Sequence, residues 1–347
     1  MSESTDYRPM WADLGLDLEK HDALLGALGE AHGDIYLSQE NRPQGMGYFD
    51  FVVSEVHGLR IRELLDAKAA GRIVVGSFCV FVPEELVLAV DRVSVGLCVG
   101  ADFGVEHAER YLPRTTYALI KSFFGFSLET ANNKRAAMHR LAKLRHANPA
   151  PISGLDALLA NQVFFCDDPV RFTDSVNALC DELEERIAKR DGVRPESTPR
   201  IVISGCPMAV PNWKLPSIIE TAGAVVVGEE SCIGERGTQN LVSAEGEGVD
   251  ELIENLVERY FTVDCAVFTP NSGRAGHARQ IAETAKADGV IHYALQFCTP
   301  YQMEAPLLER QVEAGGIPVL RIDTDYSQED VGQLRTRVEA FVEQIRH

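Results

Sequence analysis

The sequence lacks most of the short motifs by which an enzyme's chemistry can be read. It has no GxxxxGK(S/T) phosphate loop, no GxGxxG after a strand, no HExxH and no GxSxG elbow. Without a phosphate-cradling loop, the chain is not expected to hydrolyse ATP itself. It also has no CxxC pair, so spacing alone indicates neither a zinc knuckle nor a ferredoxin. Positive charge is scarce: 33 Lys and Arg stand against 52 Asp and Glu, a net charge of -19. A surface of that sign releases no counterions from a phosphate backbone, which argues against nucleic acid as a partner. The opening MSESTDYRPMW has neither the basic nor the apolar region of a secretory leader. The longest apolar stretch, Ile73 to Val90, is interrupted by Pro83, Glu84 and Glu85, which argues against a membrane span. A cytoplasmic location is expected. Thiols stay reduced there, so the eight cysteines read as buried thiols or metal ligands rather than disulfides.

What is present is the pattern of an α/β protein. At 347 residues, 45% hydrophobic and 24% charged, the chain exceeds what one core usually serves, so two lobes with helical additions are expected. Residues 13–31 and 54–70 carry apolar side chains at helical spacing. A strand over Arg72 to Gly76, a helix opened by Pro83-Glu84-Glu85 and a strand over Val93 to Leu97 form a βαβ-like passage. Lys134 to Arg190 reads as almost wholly helical, broken at NPAPISG, and DGVRPESTPR (Asp191 to Arg200) reads as a linker. Strands at Ile201 to Ser204, Ala224 to Val227, Val290 to Leu295 and Ile317 to Ile322 then alternate with helices, which predicts a parallel sheet covered on both faces. The implied division is a helical cap over 1–70, a short α/β lobe over 71–130, a helical connection over 131–195 and a second α/β lobe over 196–347.

Five cysteines fall just past these strands: Cys79, Cys98, Cys206, Cys232 and Cys298. The carboxyl edge of a parallel sheet is where ligands bind, because loops line it and helix N-termini point into it. From Cys206 through Cys232 and Cys265 to Cys298 the steps are each about one βα repeat, so several thiols could converge on one rim. The plain alternative is that cysteine packs well at strand ends and is often inert. His292, inside an apolar strand, reads as a core histidine. The pairs Glu84/Glu85 and Glu229/Glu230 read as helix N-terminal charges. Glu229 and Glu230 also stand beside Cys232, which makes them candidates for general acid–base work. A cysteine nucleophile at Cys206, ahead of a proline-led helix, is a further alternative, although no histidine stands in a recognisable partner motif.

The strings SFCVFVPEELVLA (Ser77 to Ala89), GLCVGADF (Gly96 to Phe103), LPRTTYALIKSFFGF (Leu112 to Phe126), SGCPMAVPNWKLP (Ser204 to Pro216), VVVGEESC (Val225 to Cys232), CAVFTPN (Cys265 to Asn271), VIHYALQFC (Val290 to Cys298) and the tail DTDYSQEDVGQLRTRVEAF together resemble the double-cubane-cluster branch of the 2-hydroxyacyl-CoA dehydratase family. The resemblance covers nearly the whole chain. It implies two flavodoxin-like or Rossmann-like parallel-sheet lobes with helical additions, a 4Fe-4S or double-cubane iron-sulfur cluster, and a separate ATP-dependent activator that supplies low-potential electrons. It also implies a homodimer, and an acyl-CoA or another small molecule as substrate. Cys79, Cys232 and Cys298 match ligand positions of the family, and Cys206 and Cys265 match further family cysteines. The chain departs from the pattern in three places. Tyr117 stands where the family usually has cysteine, IGERGTQN follows Cys232 in place of a TGTRYF-like stretch, and a segment of several dozen residues with a TCDGKK-like motif is absent between Phe126 and Asn133. The N-terminal lobe is therefore truncated. The alternative reading is a cluster-less relative that acts as a structural or binding protein.

Overall fold

The computed structural model describes residues 6–77, 82–96, 124–243, 249–268, 271 and 273–346. Cys79, Cys98 and Tyr117 lie outside them. The amino-terminal part is helical: α1 (Arg8–Asp13), α2 (Leu18–His32), α3 (Met46–Ser54) and α4 (Leu59–Ala69). A small parallel sheet follows, made of β1 (Val74–Ser77) and β2 (Val93–Gly96) joined through α5 (Glu84–Leu88). Pro83 caps α5 with extended backbone, and Glu84 and Glu85 occupy its first turn, as expected of helix N-terminal charges. Both also form ion pairs with the next helix, Glu84 with Lys134 at 3.0 Å and Glu85 with Arg135 at 2.7 Å.

Three long helices come next: α6 (Phe124–Arg145), α7 (Gly154–Val163) and α8 (Pro169–Lys189). The break expected at Asn148 to Gly154 separates the first two. Ser153 caps α7 through Asp156 N, and Asp168 caps α8 through Val170 N and Arg171 N, with proline at the tolerated first position. Helix α6 runs without interruption through the junction between Phe126 and Asn133.

The second sheet has the strand order β4-β3-β5-β6, all parallel, with β3 (Arg200–Gly205), β4 (Val225–Glu230), β5 (Gly289–Leu295) and β6 (Val319–Thr324). Its helices are α9 (Lys214–Thr221), α10 (Glu235–Thr238), α11 (Val249–Phe261), α12 (Arg274–Thr284), α13 (Thr299–Glu313) and α14 (Val331–Ile345). The expected α/β class and parallel sheets are observed. Strands β3 and β4 are buried along their whole length, because helices cover both faces, and so they read as apolar runs rather than alternating ones.

The two faces pack into different layers. Ile201, Ile203, Val226 and Ile291 join the large core formed with α3, α6, α7, α8, α9 and α14. Val202, Val225, Val227 and Val290 pack against Ala278 and Ile281 of α12 and Leu308 and Val312 of α13. Between Ile201 and Val202 the register with β4 shifts, so that Val226 and Gly228 are successive partners and Val227 is an extra residue. A bulge of this kind sends every later side chain of the strand to the opposite face.

Candidate functional site at the carboxyl edge of the second sheet

The chain order reverses between β3 and β5: β4 lies on one side of β3, and β5 and β6 lie on the other. Such a switch point opens a crevice at the carboxyl ends of the strands, because the connections that leave the two central strands go to opposite faces. Cys206 follows β3 directly. Its N–H donates to Tyr293 O at 2.9 Å, and its Sγ accepts from Leu295 N at 3.4 Å. This placement needs glycine at 205, where φ is +149° and a Cβ would stand 1.8 Å from Tyr293 O. Cys298, at the end of the turn after β5, is the N-cap residue of α13 and packs against the core that holds Cys206.

A second pair stands on the other side of β3. Cys232, just past β4, packs with Cys265 and Val263 against Phe165. Tyr301 OH lies 3.7 Å from Cys265 Sγ. Burial pushes the Cys206 thiol up to about 12. The neighbouring Cys232 thiol, with burial, raises Cys265 further still. Cys166 and Cys180 belong to the helical layer, where burial pushes them to about 11 and about 12.

Between the pairs lies a buried charge network. Glu230 is wholly inaccessible; its Oε2 accepts from Ser204 Oγ at 2.5 Å and pairs with Arg274 at 3.2 Å. Its Oε1 forms an ion pair with Arg236 Nε at 2.7 Å. Arg236, equally inaccessible, donates to Tyr301 OH at 2.5 Å, to Gly205 O at 2.8 Å and to Glu230 O at 3.3 Å. Arg274 donates to Ser204 Oγ at 3.1 Å and to Glu304 at 2.9 Å. Two guanidiniums therefore stand behind the cysteines, balanced by Glu230 within the network and by Glu304 at its edge.

Glu229 and Glu230 do not form a pair. Both lie inside β4, not at a helix N-terminus as expected, and they point to opposite faces. The expected strand ended at Val227, because Gly-Glu-Glu is a poor strand continuation when no partners are in view. Glu229 accepts from Asn161 at 2.7 Å and pairs with Arg145 at 3.2 Å, away from the cysteines, and burial raises it above the usual carboxylate range. His292 sits in β5 as a core histidine: its Nε2 lies 3.1 Å from Tyr301 O, and burial, with Arg274, pushes it down to about 4. Arg236, Arg274, Tyr301 and Ser204 carry no local motif. Only the departure IGERGTQN, which contains Arg236, marked the region.

An iron-sulfur cluster takes thiolate ligands. The two thiol pairs, with guanidinium charge beside them, fit such a group in kind. In number they do not complete it, since no three potential ligands come together among the described residues. Cys232 and Cys298 stand in different pairs, and Cys79 lies outside the described residues.

Fold and site together define an α/β protein with a cysteine-lined switch point. The chain matches the family model of the 2-hydroxyglutaryl-CoA dehydratase D-component over residues 79–131 and 127–345, and it belongs to that family. The two matches meet at 127–131, which is where the absent segment was expected. The chain is similar to the protein named "Putative dehydratase subunit YjiM" of Escherichia coli (strain K12), 28% identical over 379 residues that take in 84% of this chain and 96% of that protein. The aligned length exceeds this chain, so that relative carries residues absent here. The beta subunit of (R)-phenyllactyl-CoA dehydratase of Clostridium sporogenes is 24% identical over 63% of the chain and 56% of its own length. The beta subunit of (R)-2-hydroxyglutaryl-CoA dehydratase of Acidaminococcus fermentans is 25% identical over the same shares. The chain thus spans little more than half the length of those two relatives. Among the described residues, no helix is long and apolar enough to cross a membrane.

Proposed function

We propose that this chain is an iron-sulfur subunit of a 2-hydroxyacyl-CoA dehydratase-type enzyme, with Cys79, Cys232 and Cys298 as cluster ligands and Cys206 and Cys265 as further donors. The observation that carries the reading is the placing of two cysteine pairs on either side of two buried guanidiniums at the carboxyl edge of the second sheet, in a chain of the dehydratase family. A cluster bound there would supply a single low-potential electron to the substrate, delivered by a separate ATP-dependent activator. The protein's own residues set the surroundings. Arg236 and Arg274 favour negative charge on the neighbouring sulfurs. Tyr301 OH orients Cys265, and Ser204 and both arginines hold the Glu230 carboxylate in one position. Of the two acids proposed for acid–base work, Glu230 is the one on the face of the cysteines, where it holds Arg236 and Arg274 in place. Glu229 braces α6 and α7 on the far face. The proposed setting is a cytoplasmic homodimer acting on an acyl-CoA or another small molecule, and the proposed organisation is a helical cap, a short first lobe, a helical connection and a complete second lobe.

Anaerobic reconstitution followed by iron and sulfide determination tests the proposal. About four irons per chain are expected for one cubane, with broad visible absorbance, and Cys232→Ser or Cys298→Ser should lower the iron content. Iron-free wild-type protein after reconstitution would refute it and leave a cluster-less member of the family.

A further inference from the structure

The two thiol pairs differ in a way that the proposed function does not use. Cys232 and Cys265 are both buried, 5% and 4% exposed, within a small apolar cluster. Cys206 is equally buried, but its partner Cys298 is partly exposed and stands at the N-cap of the 15-residue helix α13. Both members are tied to one turn. Leu295 N donates to Cys206 Sγ at 3.4 Å, and Cys298 N donates to Leu295 O at 3.0 Å. The residue before Cys298, Phe297, is 91% exposed with φ at +66°, so the turn presents its outer side to solvent while Cys298 packs against the core that holds Cys206. A partly exposed cysteine tied to the same turn as a buried one is the arrangement of an attacking and a resolving cysteine.

We propose that Cys206 and Cys298 form a reversible disulfide when the metal-free chain meets a small-molecule disulfide of the oxidised-glutathione class. Cys298 gives up its proton, and its sulfur attacks one sulfur of the reagent. The S–S bond of the reagent breaks, and one half leaves as a thiolate that takes up a proton. Cys206 then loses its proton and attacks the Cys298 sulfur. The bond between Cys206 and Cys298 forms, and the second half of the reagent leaves as a thiol. The two cysteines are oxidised by two electrons, and the reagent is reduced to two thiols. A linked Cys298 cannot take iron, so oxidation and cluster loading exclude each other. This consequence alone rests on the function proposed above.

The test uses the reduced, metal-free full-length chain. After incubation with oxidised glutathione, remaining thiols are alkylated in denaturant and disulfide-linked peptides are identified by mass spectrometry. The expected result is loss of two of the eight thiols, with a peptide containing Cys206 joined to one containing Cys298. Cys206→Ser, which leaves Cys298 without a resolving thiol, should instead accumulate a single glutathione adduct on Cys298. Alkylation of all eight thiols, a link between Cys232 and Cys265 in its place, or a stable adduct on Cys298 of the wild type would overturn the proposal. None of these readings involves iron. Failure of the iron-sulfur reading would appear separately, as absence of iron in reduced, reconstituted protein.

Discussion

Removing Arg236 should expose how tightly the site's charges are balanced. In Arg236→Met the guanidinium and its bonds to Tyr301 OH, Gly205 O and Glu230 O are lost. Glu230 keeps Arg274 at 3.2 Å and Ser204 at 2.5 Å, so its charge is not stranded. Breaking a buried ion pair costs about 3–5 kcal/mol, and this variant belongs at the lower end. Glu230→Gln belongs at the upper end, because among the described residues Arg236 pairs with no other carboxylate, whereas Arg274 retains Glu304 at 2.9 Å. The double variant strands no charge at this pair, so it should cost less than the sum of the singles by ~2 kcal/mol, a coupling of the size seen for contacting groups. Against a stability of ~10 kcal/mol, the middle of the usual range, every variant should still fold. Urea unfolding under reducing, anaerobic conditions, followed by tryptophan fluorescence and circular dichroism, gives all four free energies. Single losses under ~1 kcal/mol, the range of exposed pairs, or strictly additive losses would refute the reasoning.

Two further outcomes follow from the same structure. Glu220 accepts from Gly154 N at 2.6 Å and Val226 N at 3.3 Å, and burial raises it to about 7. Its folded value lies above its unfolded one, so its contribution is complete below about pH 4.5 and is lost as pH rises toward 7. Glu220→Gln keeps an acceptor in place, so relative to wild type it should gain ~3 kcal/mol between pH 4.5 and 7.5, and parallel stability profiles would contradict this. Gly205→Ala places a Cβ 1.8 Å from Tyr293 O, so the variant should be recovered mostly insoluble; a soluble protein of wild-type melting temperature would show that β3 is not held against β5 as described.

The alternation of strands and helices in the carboxyl-terminal half was legible because central parallel strands are buried on both faces and stand out as apolar runs. The helical break at Asn148 to Gly154 was legible from proline and glycine, and the start of α5 from Pro83. The end of β4 was not legible: Glu229 and Glu230 read as helix N-terminal charges until Arg145, Arg236 and Arg274 are brought to them. Those partners lie 84, 6 and 44 residues away along the chain, and only Arg236 is close enough to suggest a local pairing.

The sequence by itself determined the α/β class, the placement of Cys206, Cys232 and Cys298 at strand ends, and family membership. Each of these depends on local periodicity or on matched strings, which a linear chain displays. Tertiary structure decided which cysteines meet. The order β4-β3-β5-β6 sets Cys206 beside Cys298 and Cys232 beside Cys265, where similar sequence spacings had left every combination open. It also decided which acid faces the cysteines. One extra residue at Val227 turns Glu230 toward the rim and Glu229 away, because side chains alternate with a period of two and a single-residue bulge inverts that assignment.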